Sequence, residues 1–160
     1  MLSPYLLDES NELTYEFITT SGIKYKIYFL DYSYMFAEYS NMIYPVFSLN
    51  IDAIDGNPEF SPLDKRIALT LSMIIHQFFE KIDHLLIYVC DSVDERHYAR
   101  KRKFDNWFNE YNNGTLKKED GIATIEGGKI YNSIIFHKDH PGFSDIIIAF
   151  NDLNTRSSEK

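Results

Sequence analysis

The sequence predicts an α+β protein in which two helices pack on one face of a mainly antiparallel sheet. Three patterns carry this prediction. Residues 13–30 alternate apolar and polar side chains around Ser21-Gly22, as in a two-stranded hairpin. Residues 61–82 place apolar side chains at spacings of three and four, which is typical of a helix packed on a core. Residues 84–90 form an apolar run, the pattern of a strand covered on both faces.

Length and composition bound the class of protein. The 160 residues predict a single domain, with a core at about residues 13–150, a frayed acidic N-terminus and a polar C-terminal tail. A net charge of −8 argues against a protein whose whole surface binds nucleic acid, because such binding depends on cations. One cysteine cannot form an internal disulfide, and neither a secretion signal nor a membrane-length apolar run is visible. We therefore expect a cytoplasmic protein with no membrane partner.

The first half of the chain predicts three strands. Residues 13–20 and 23–30 form the hairpin, whereas the aromatic residues 31–41 have no clean period and fit either a short strand or a loop. Residues 42–51 predict a further strand. There Pro45 favours an edge or a bulge, because proline cannot donate to a ladder.

Each predicted helix begins at a capping signal. Ser61-Pro62 supplies a cap and a first-turn proline for the first helix, which we expect to end near residues 79–81. Ser92 and Glu95 fit a capping box for the second helix, which we expect to end at residues 112–114.

The last third of the chain predicts three more strands. Residues 122–125 and 129–136 can pair as a hairpin around Gly127-Gly128, after a polar loop at residues 115–120. The apolar run at residues 146–150 predicts the last strand.

The candidate site lies where the strand at residues 84–90 passes into the second helix. Its members are acidic or basic: Asp91, Asp94, Arg96, His97 and Arg100. A helical projection places Arg100 among apolar side chains, so its side chain should either extend outward to solvent or meet a carboxylate, for which Asp91 is the preferred partner. The cluster can hold a phosphate, a metal or an acidic peptide. The structural alternative, which we favour, is a charge network that neutralises itself at the start of the helix.

Cations and aromatic side chains also follow one another along the second helix. Arg100-Lys101-Arg102-Lys103 precedes Trp107, a composition that can bind a nucleic-acid strand through phosphates and base stacking. Four successive residues point in different directions, so a solvated helix face is the simpler interpretation, and Trp107 is more typical of a core. Lys103 and Trp107 join the cluster from Asp91 to Arg100 as candidate binding residues.

The same stretch carries a resemblance to a known family. At Tyr88–Ser92, followed by Asp94, Arg96, Arg100, Phe104 and Trp107-Phe108, the chain resembles small bacterial proteins known only as domain-of-unknown-function family 6169. The similarity extends over most of the chain, including the turn at residues 19–22 and the segments 66–79 and 131–135. The resemblance implies a bacterial and cytoplasmic origin, and the family brings no assigned activity.

Two hypotheses of different classes follow. The first is a non-enzymatic binding domain whose basic and aromatic second helix contacts a protein or a nucleic acid. The second is a metal-dependent nuclease or phosphodiesterase that uses Asp91 and Asp94, with His97 or Arg100 assisting. We prefer the first because the sequence shows no full catalytic set. No cofactor and no confident metal site is predicted, and a homo-oligomer is left open.

Overall fold

The computed structural model describes residues 2–56, 64–90, 97–125 and 128–158. Its regular elements are, in order, β1 (Asp8–Asn11), β2 (Thr14–Ile18), β3 (Lys24–Asp31), a 3-10 helix (Ser33–Phe36), β4 (Val46–Asp55), α1 (Lys65–Phe78), β5 (Leu85–Cys90), α2 (His97–Tyr111), β6 (Leu116–Ile125), β7 (Gly128–His137) and α3 (Phe143–Ser158). The strands form a sheet in the order β1-β2-β3-β4-β5-β7-β6. β4 and β5 are parallel, whereas the pairs β1–β2, β2–β3, β5–β7 and β6–β7 are antiparallel. The predicted α+β class with a mainly antiparallel sheet is confirmed, and α3 is a third helix besides the two predicted.

The chain divides into two compact units. The N-terminal unit comprises Met1–Leu30 and Leu49–Glu80, and the C-terminal unit comprises Asp31–Ser48 and Lys81–Lys160. The division falls within β4, so each unit contains part of that strand.

The hairpin β2–β3 of the N-terminal unit closes as the sequence predicts. The Thr19 N–H donates to the Ile23 carbonyl at 2.9 Å, and the Gly22 N–H donates to the Thr19 carbonyl at 2.9 Å. Gly22 has φ +85°, which glycine adopts without the clash that a Cβ would cause. The predicted turn at Ser21-Gly22 is therefore confirmed.

Tyr5 anchors the segment that leads into this hairpin. Its ring is buried and stacks on Phe17 with centroids 5.5 Å apart. Its N–H donates to the Thr70 hydroxyl at 2.8 Å, and its own hydroxyl donates to Asp64. The guanidinium of Arg66, which belongs to α1, lies 3.9 Å from the centroid of the Tyr5 ring. Burial of one aromatic ring thus helps to offset the entropy lost when the N-terminal segment is ordered.

Helix α1 is described from Lys65, and the capping signal predicted at Ser61-Pro62 lies outside the described residues. Asp64 is the N-cap, because its backbone is extended and its carboxylate accepts the Arg66 N–H at 2.9 Å. The helix ends at Phe78, close to the predicted end, and Phe78 stacks on Phe29 of β3 at 4.5 Å. The predicted core-packing helix is confirmed.

Strand β4 corrects the expectation drawn from Pro45. The strand begins at Val46, directly after the proline, and extends to Asp55 rather than to residue 51. Because Pro45 precedes the strand, it removes no donor from the ladder, and β4 lies between β3 and β5 instead of at an edge. The undecided segment 31–41 contains the 3-10 helix.

In the C-terminal unit, β5 is the covered central strand that its apolar run predicts. Leu85 and Ile87 pack with Ile146 and Phe150 of α3, whereas Tyr88 stacks on Phe104 of α2 with centroids 4.0 Å apart. Since alternate residues of a strand point to opposite faces, α2 and α3 cover opposite faces of β5.

The C-terminal elements correct two further predictions. The hairpin of β6 and β7 is confirmed, but residues 115–120 are not a loop, because β6 already begins at Leu116. The strand predicted at residues 146–150 is wrong, since the segment belongs to α3. The run of β-branched isoleucines favours a strand locally, yet Ile146, Phe150 and Asn154 are buried at the spacing of four that a helix produces.

Candidate functional site

The structure describes the candidate residues only in part. Asp91, Asp94 and Arg96 lie outside the described residues. His97 and Arg100 belong to α2, but their side chains are also outside the described set. The convergence predicted for this cluster therefore stays a prediction. The capping box predicted at Ser92 likewise lies outside the described residues.

One side of α2 is buried against the sheet. Phe104, Trp107 and Phe108 are all less than a tenth exposed. The Trp107 ring lies 5.6 Å from that of Phe104 and 6.3 Å from that of Tyr111. Trp107 is thus a packing residue, as its sequence context suggests, and its buried ring offers no open platform on which a base could stack.

The opposite side of α2 faces solvent. Its exposed residues are Arg102, Lys103, Asn106, Asn109 and Glu110. At about 100° per residue they fall within an arc of about 120°, so they share one face. In the described part of the chain, neither Arg102 nor Lys103 has an ion-pair partner. We call these five residues the exposed face of α2.

A network of charged side chains joins α2 to the sheet. The Lys118 ammonium lies 2.9 Å from an Asp105 carboxylate oxygen and 2.7 Å from one of Asp120. Lys101 pairs with the second oxygen of Asp105 at 2.6 Å, and the Ser133 hydroxyl donates to Asp120 at 2.6 Å. We call these five residues the Lys118 network.

The pKa shifts in the Lys118 network show what chemistry it allows. Burial alone acts to raise the pKa of Asp105, but hydrogen bonds from Lys101 and Lys118 outweigh it, so this pKa lies below its usual value. Burial likewise acts to lower the pKa of Lys118, but hydrogen bonds from Asp105 and Asp120 outweigh it and leave that pKa raised. Both groups are therefore ionised at neutral pH. A lysine held as ammonium is not a general base, so the network is suited to holding α2 on the sheet.

Sequence reasoning missed this network because it assigned Lys118 and Asp120 to a loop. The signal that could have revealed it lies in residues 116–124. If this segment forms a strand, every second side chain points to the same face, so Lys118 and Asp120 lie side by side on the face toward α2. The register that aligns Asp120 with Ser133 depends on tertiary pairing, which no local pattern reveals.

A second polar cluster lies on the α3 side of the sheet. The Asn132 amide donates to Asn154 Oδ1 at 2.8 Å, and the Asn154 amide donates to the Phe150 carbonyl at 3.0 Å. Gly121 aligns with Asn132, and a Cβ at this glycine would lie only 2.5 Å from Asn154 Nδ2. Among the described residues, the buried Asn132 Oδ1 has no hydrogen-bond partner. The cluster fixes α3 on β6 and β7.

The described residues contain neither a metal-binding group of side chains nor a helix that could span a membrane. There, no group of three His, Cys, Asp or Glu side chains is placed to hold a metal ion. None of the helices in those ranges combines the length and apolar character that a membrane span requires.

Comparisons with known proteins identify the family of the chain. No curated protein and no solved structure matches the chain. The matched range starts at residue 63 and so leaves out the hairpin β2–β3. The predicted resemblance is confirmed: the chain belongs to a family of unknown function (DUF6169), whose model matches residues 63–152, more than half of the sequence.

Proposed function

We propose that this protein is a non-enzymatic interaction domain that binds its partner through the exposed face of α2. The observation that carries the proposal is the placement of Arg102 and Lys103 on a helix whose other side is fixed to the sheet. Phe104 and Trp107 hold the helix by packing, and Asp105 holds it through Lys118. Cations on a fixed helix can meet a partner's carboxylates without the cost of ordering the backbone first.

The partner we propose is an acidic segment of another protein. On the exposed face of α2, Arg102 and Lys103 have no ion-pair partner among the described residues, and two asparagine amides add further donors, which suits carboxylate and carbonyl acceptors. A nucleic-acid partner has less support, because the net charge is −8 and the Trp107 ring is buried. The family match brings no activity that bears on this choice.

The test is recovery of a partner by affinity-tagged protein in nuclease-treated bacterial extract. The double charge reversal Arg102→Glu with Lys103→Glu should abolish recovery, whereas Lys65→Glu with Lys81→Glu changes the net charge equally at exposed positions elsewhere and should not. Melting temperatures should stay within about 2 °C of the wild type, because exposed substitutions cost about 0.5 kcal/mol or less. Undiminished recovery by the first variant would count against the proposal. Recovery that disappears with nuclease treatment would point to nucleic acid instead.

A second variant extends this test to the candidate cluster from Asp91 to Arg100. Substituting Arg96 and Arg100 together with Lys103 should abolish recovery while leaving the melting temperature nearly unchanged. A large loss of stability in this triple variant would instead favour a structural charge network at the start of α2.

A metal-dependent phosphodiester-cleaving activity at Asp91 and Asp94, with His97 or Arg100 assisting, is the alternative of a different class. Its support is the pair of acids that follows β5, where carboxylates could hold a cation. Cleavage of a nucleic-acid panel with Mg²⁺ or Mn²⁺ that disappears in Asp91→Asn would establish it. Absence of cleavage and of metal-dependent stabilisation would argue against it.

We also place the protein in the bacterial cytoplasm and treat it as one domain. The lone cysteine, Cys90, supports a reducing compartment, because it cannot form an internal disulfide. Cell fractionation tests the location, and a single unfolding transition followed by two probes tests the domain assignment. Light scattering after size exclusion tests whether the chain forms a homo-oligomer.

A further inference from the structure

His140 ties together two turns that are far apart in the sequence. Its side chain is buried, with 4% of its surface exposed. The ring Nε2 lies 3.0 Å from the Asp83 carbonyl oxygen in the turn before β5. The ring Nδ1 accepts the Gly142 N–H at 2.9 Å, directly before α3. Each ring nitrogen therefore has a backbone partner of fixed polarity.

These partners select one protonation state. A carbonyl oxygen can only accept, so Nε2 must carry a hydrogen and donate it to Asp83. A backbone N–H can only donate, so Nδ1 must present its lone pair to Gly142. Only the neutral ring with its hydrogen on Nε2 meets both requirements. A proton added to Nδ1 would face the Gly142 N–H and replace a hydrogen bond with a repulsive contact.

The surroundings leave the ring little room to turn away. Tyr44 meets it edge-on with centroids 4.6 Å apart, and Phe136 packs at 6.3 Å. A Cβ at Gly142 would lie 2.3 Å from the Tyr44 ring, so only glycine permits this approach. The Gly142 carbonyl accepts the Ile146 N–H at 2.9 Å, which couples the contact to the first turn of α3.

Burial and the neighbouring charged groups shift the pKa of His140 in opposite directions. Burial is the largest influence and lowers the pKa of His140 below its usual value, and His137 acts the same way. The Asp83 backbone hydrogen bond and its negative charge oppose this. Tyr44 meets the ring with its aromatic edge. The neutral ring is thus the stable form near pH 7.

We propose that His140 is an acid-sensitive latch: its neutral ring ties the turn at Asp83 to Gly142, and protonation releases the first turn of α3. Phe143, which meets Phe136 edge-on at 5.0 Å, would lose its support when the latch opens. Because α3 covers one face of the C-terminal core, the latch would make the packing of the first turn of α3 on that core depend on pH.

The test combines ring ¹⁵N spectra with amide hydrogen exchange between pH 7.5 and pH 5. The wild type should show hydrogen on Nε2 of His140. The protection factors of the Gly142 and Ile146 amides should fall by up to tenfold per pH unit as pH drops below the ordinary histidine pKa of about 6.5, because the opened form takes up one proton that the closed form does not hold. The amide of Ile135, within β7, should keep its protection and serves as the internal control.

A variant separates the latch from general acid sensitivity. In His140→Asn, the side-chain oxygen can accept the Gly142 N–H at every pH, so protection at Gly142 should become independent of pH. Should this variant fail to fold, the wild-type spectra decide alone. Hydrogen on Nδ1, or constant Gly142 protection while His140 becomes charged, would overturn the proposal.

Discussion

Replacing Lys118 with methionine tests whether the Lys118 network holds α2 on the sheet. The Lys118 side chain is 10% exposed and that of Asp105 is 26% exposed. Breaking a fully buried ion pair costs about 3–5 kcal/mol, because the remaining charge loses its partner. Asp105 keeps Lys101 and some contact with water, so we expect about 2 kcal/mol. For a chain of this length that loss lowers the melting temperature by about 4–8 °C.

The adjacent Lys117 provides a matched control. It lies on the same strand, is exposed, and points to the opposite face, so Lys117→Met removes an equal charge without touching the network. Urea unfolding and calorimetry of both variants measure the difference. Equal melting temperatures for Lys118→Met and Lys117→Met would refute the assignment of the network to helix anchoring.

The same pair of variants has a predicted pH dependence. The pKa of Asp105 is lowered in the folded state, so its contribution to stability is present above its unfolded value of about 4 and is lost as pH falls through the folded value. The pKa of Lys118 is raised, so its contribution is present below its unfolded value of about 10.4 and is lost as pH rises through the folded one. The cost of Lys118→Met should thus be greatest between about pH 5 and pH 10 and shrink below about pH 4.

Two further substitutions test the packing, one within each compact unit. Gly121→Ala should cost about 1–3 kcal/mol in urea unfolding, because its Cβ would overlap the Asn154 amide, and adding Asn154→Ala should cost less than the two single changes summed. Additive effects would contradict the overlap. Tyr5→Phe should cost about 1 kcal/mol, because it keeps the stack on Phe17 but loses the hydroxyl bond to Asp64. Limited proteolysis should then cut the N-terminal segment faster in Tyr5→Phe than in the wild type, and equal rates would argue against this anchor.

Local patterns predicted the elements whose side-chain spacing decides their structure. Apolar residues recur every second position in the hairpin β2–β3 and every third or fourth position in helix α1. The unbroken apolar run of β5 is explained by helices that cover both faces of the strand. Helix α3 was mispredicted because the isoleucines at 146–148 favour a strand, and its helical spacing becomes visible only when Asn154 is included. Tertiary burial outweighed local propensity there.

The candidate site shows a different limit of sequence reasoning. The local charges from Asp91 to Arg100 could be read from the chain, and their convergence stays a prediction. Among the described residues, the structure brings together Asp105, Lys118 and Asp120, which are far apart in the sequence. Asp105 and Lys118 meet only because α2 packs over β6, and no periodicity of the sequence predicts a contact between these two elements. The burial of Trp107 was predictable from its apolar helical neighbours, since a large ring beside Phe104 and Phe108 favours the core.

Site-specific photo-crosslinking in living cells tests the central claim most directly. A photoreactive residue at Asn106, within the exposed face of α2, should give a discrete protein adduct that Arg102→Glu with Lys103→Glu removes. The same residue placed at Lys117, an exposed position on β6, should not give this adduct. An Asn106 adduct that survives the charge reversal, or an equal adduct from position 117, would contradict the proposal that α2 is the interaction surface.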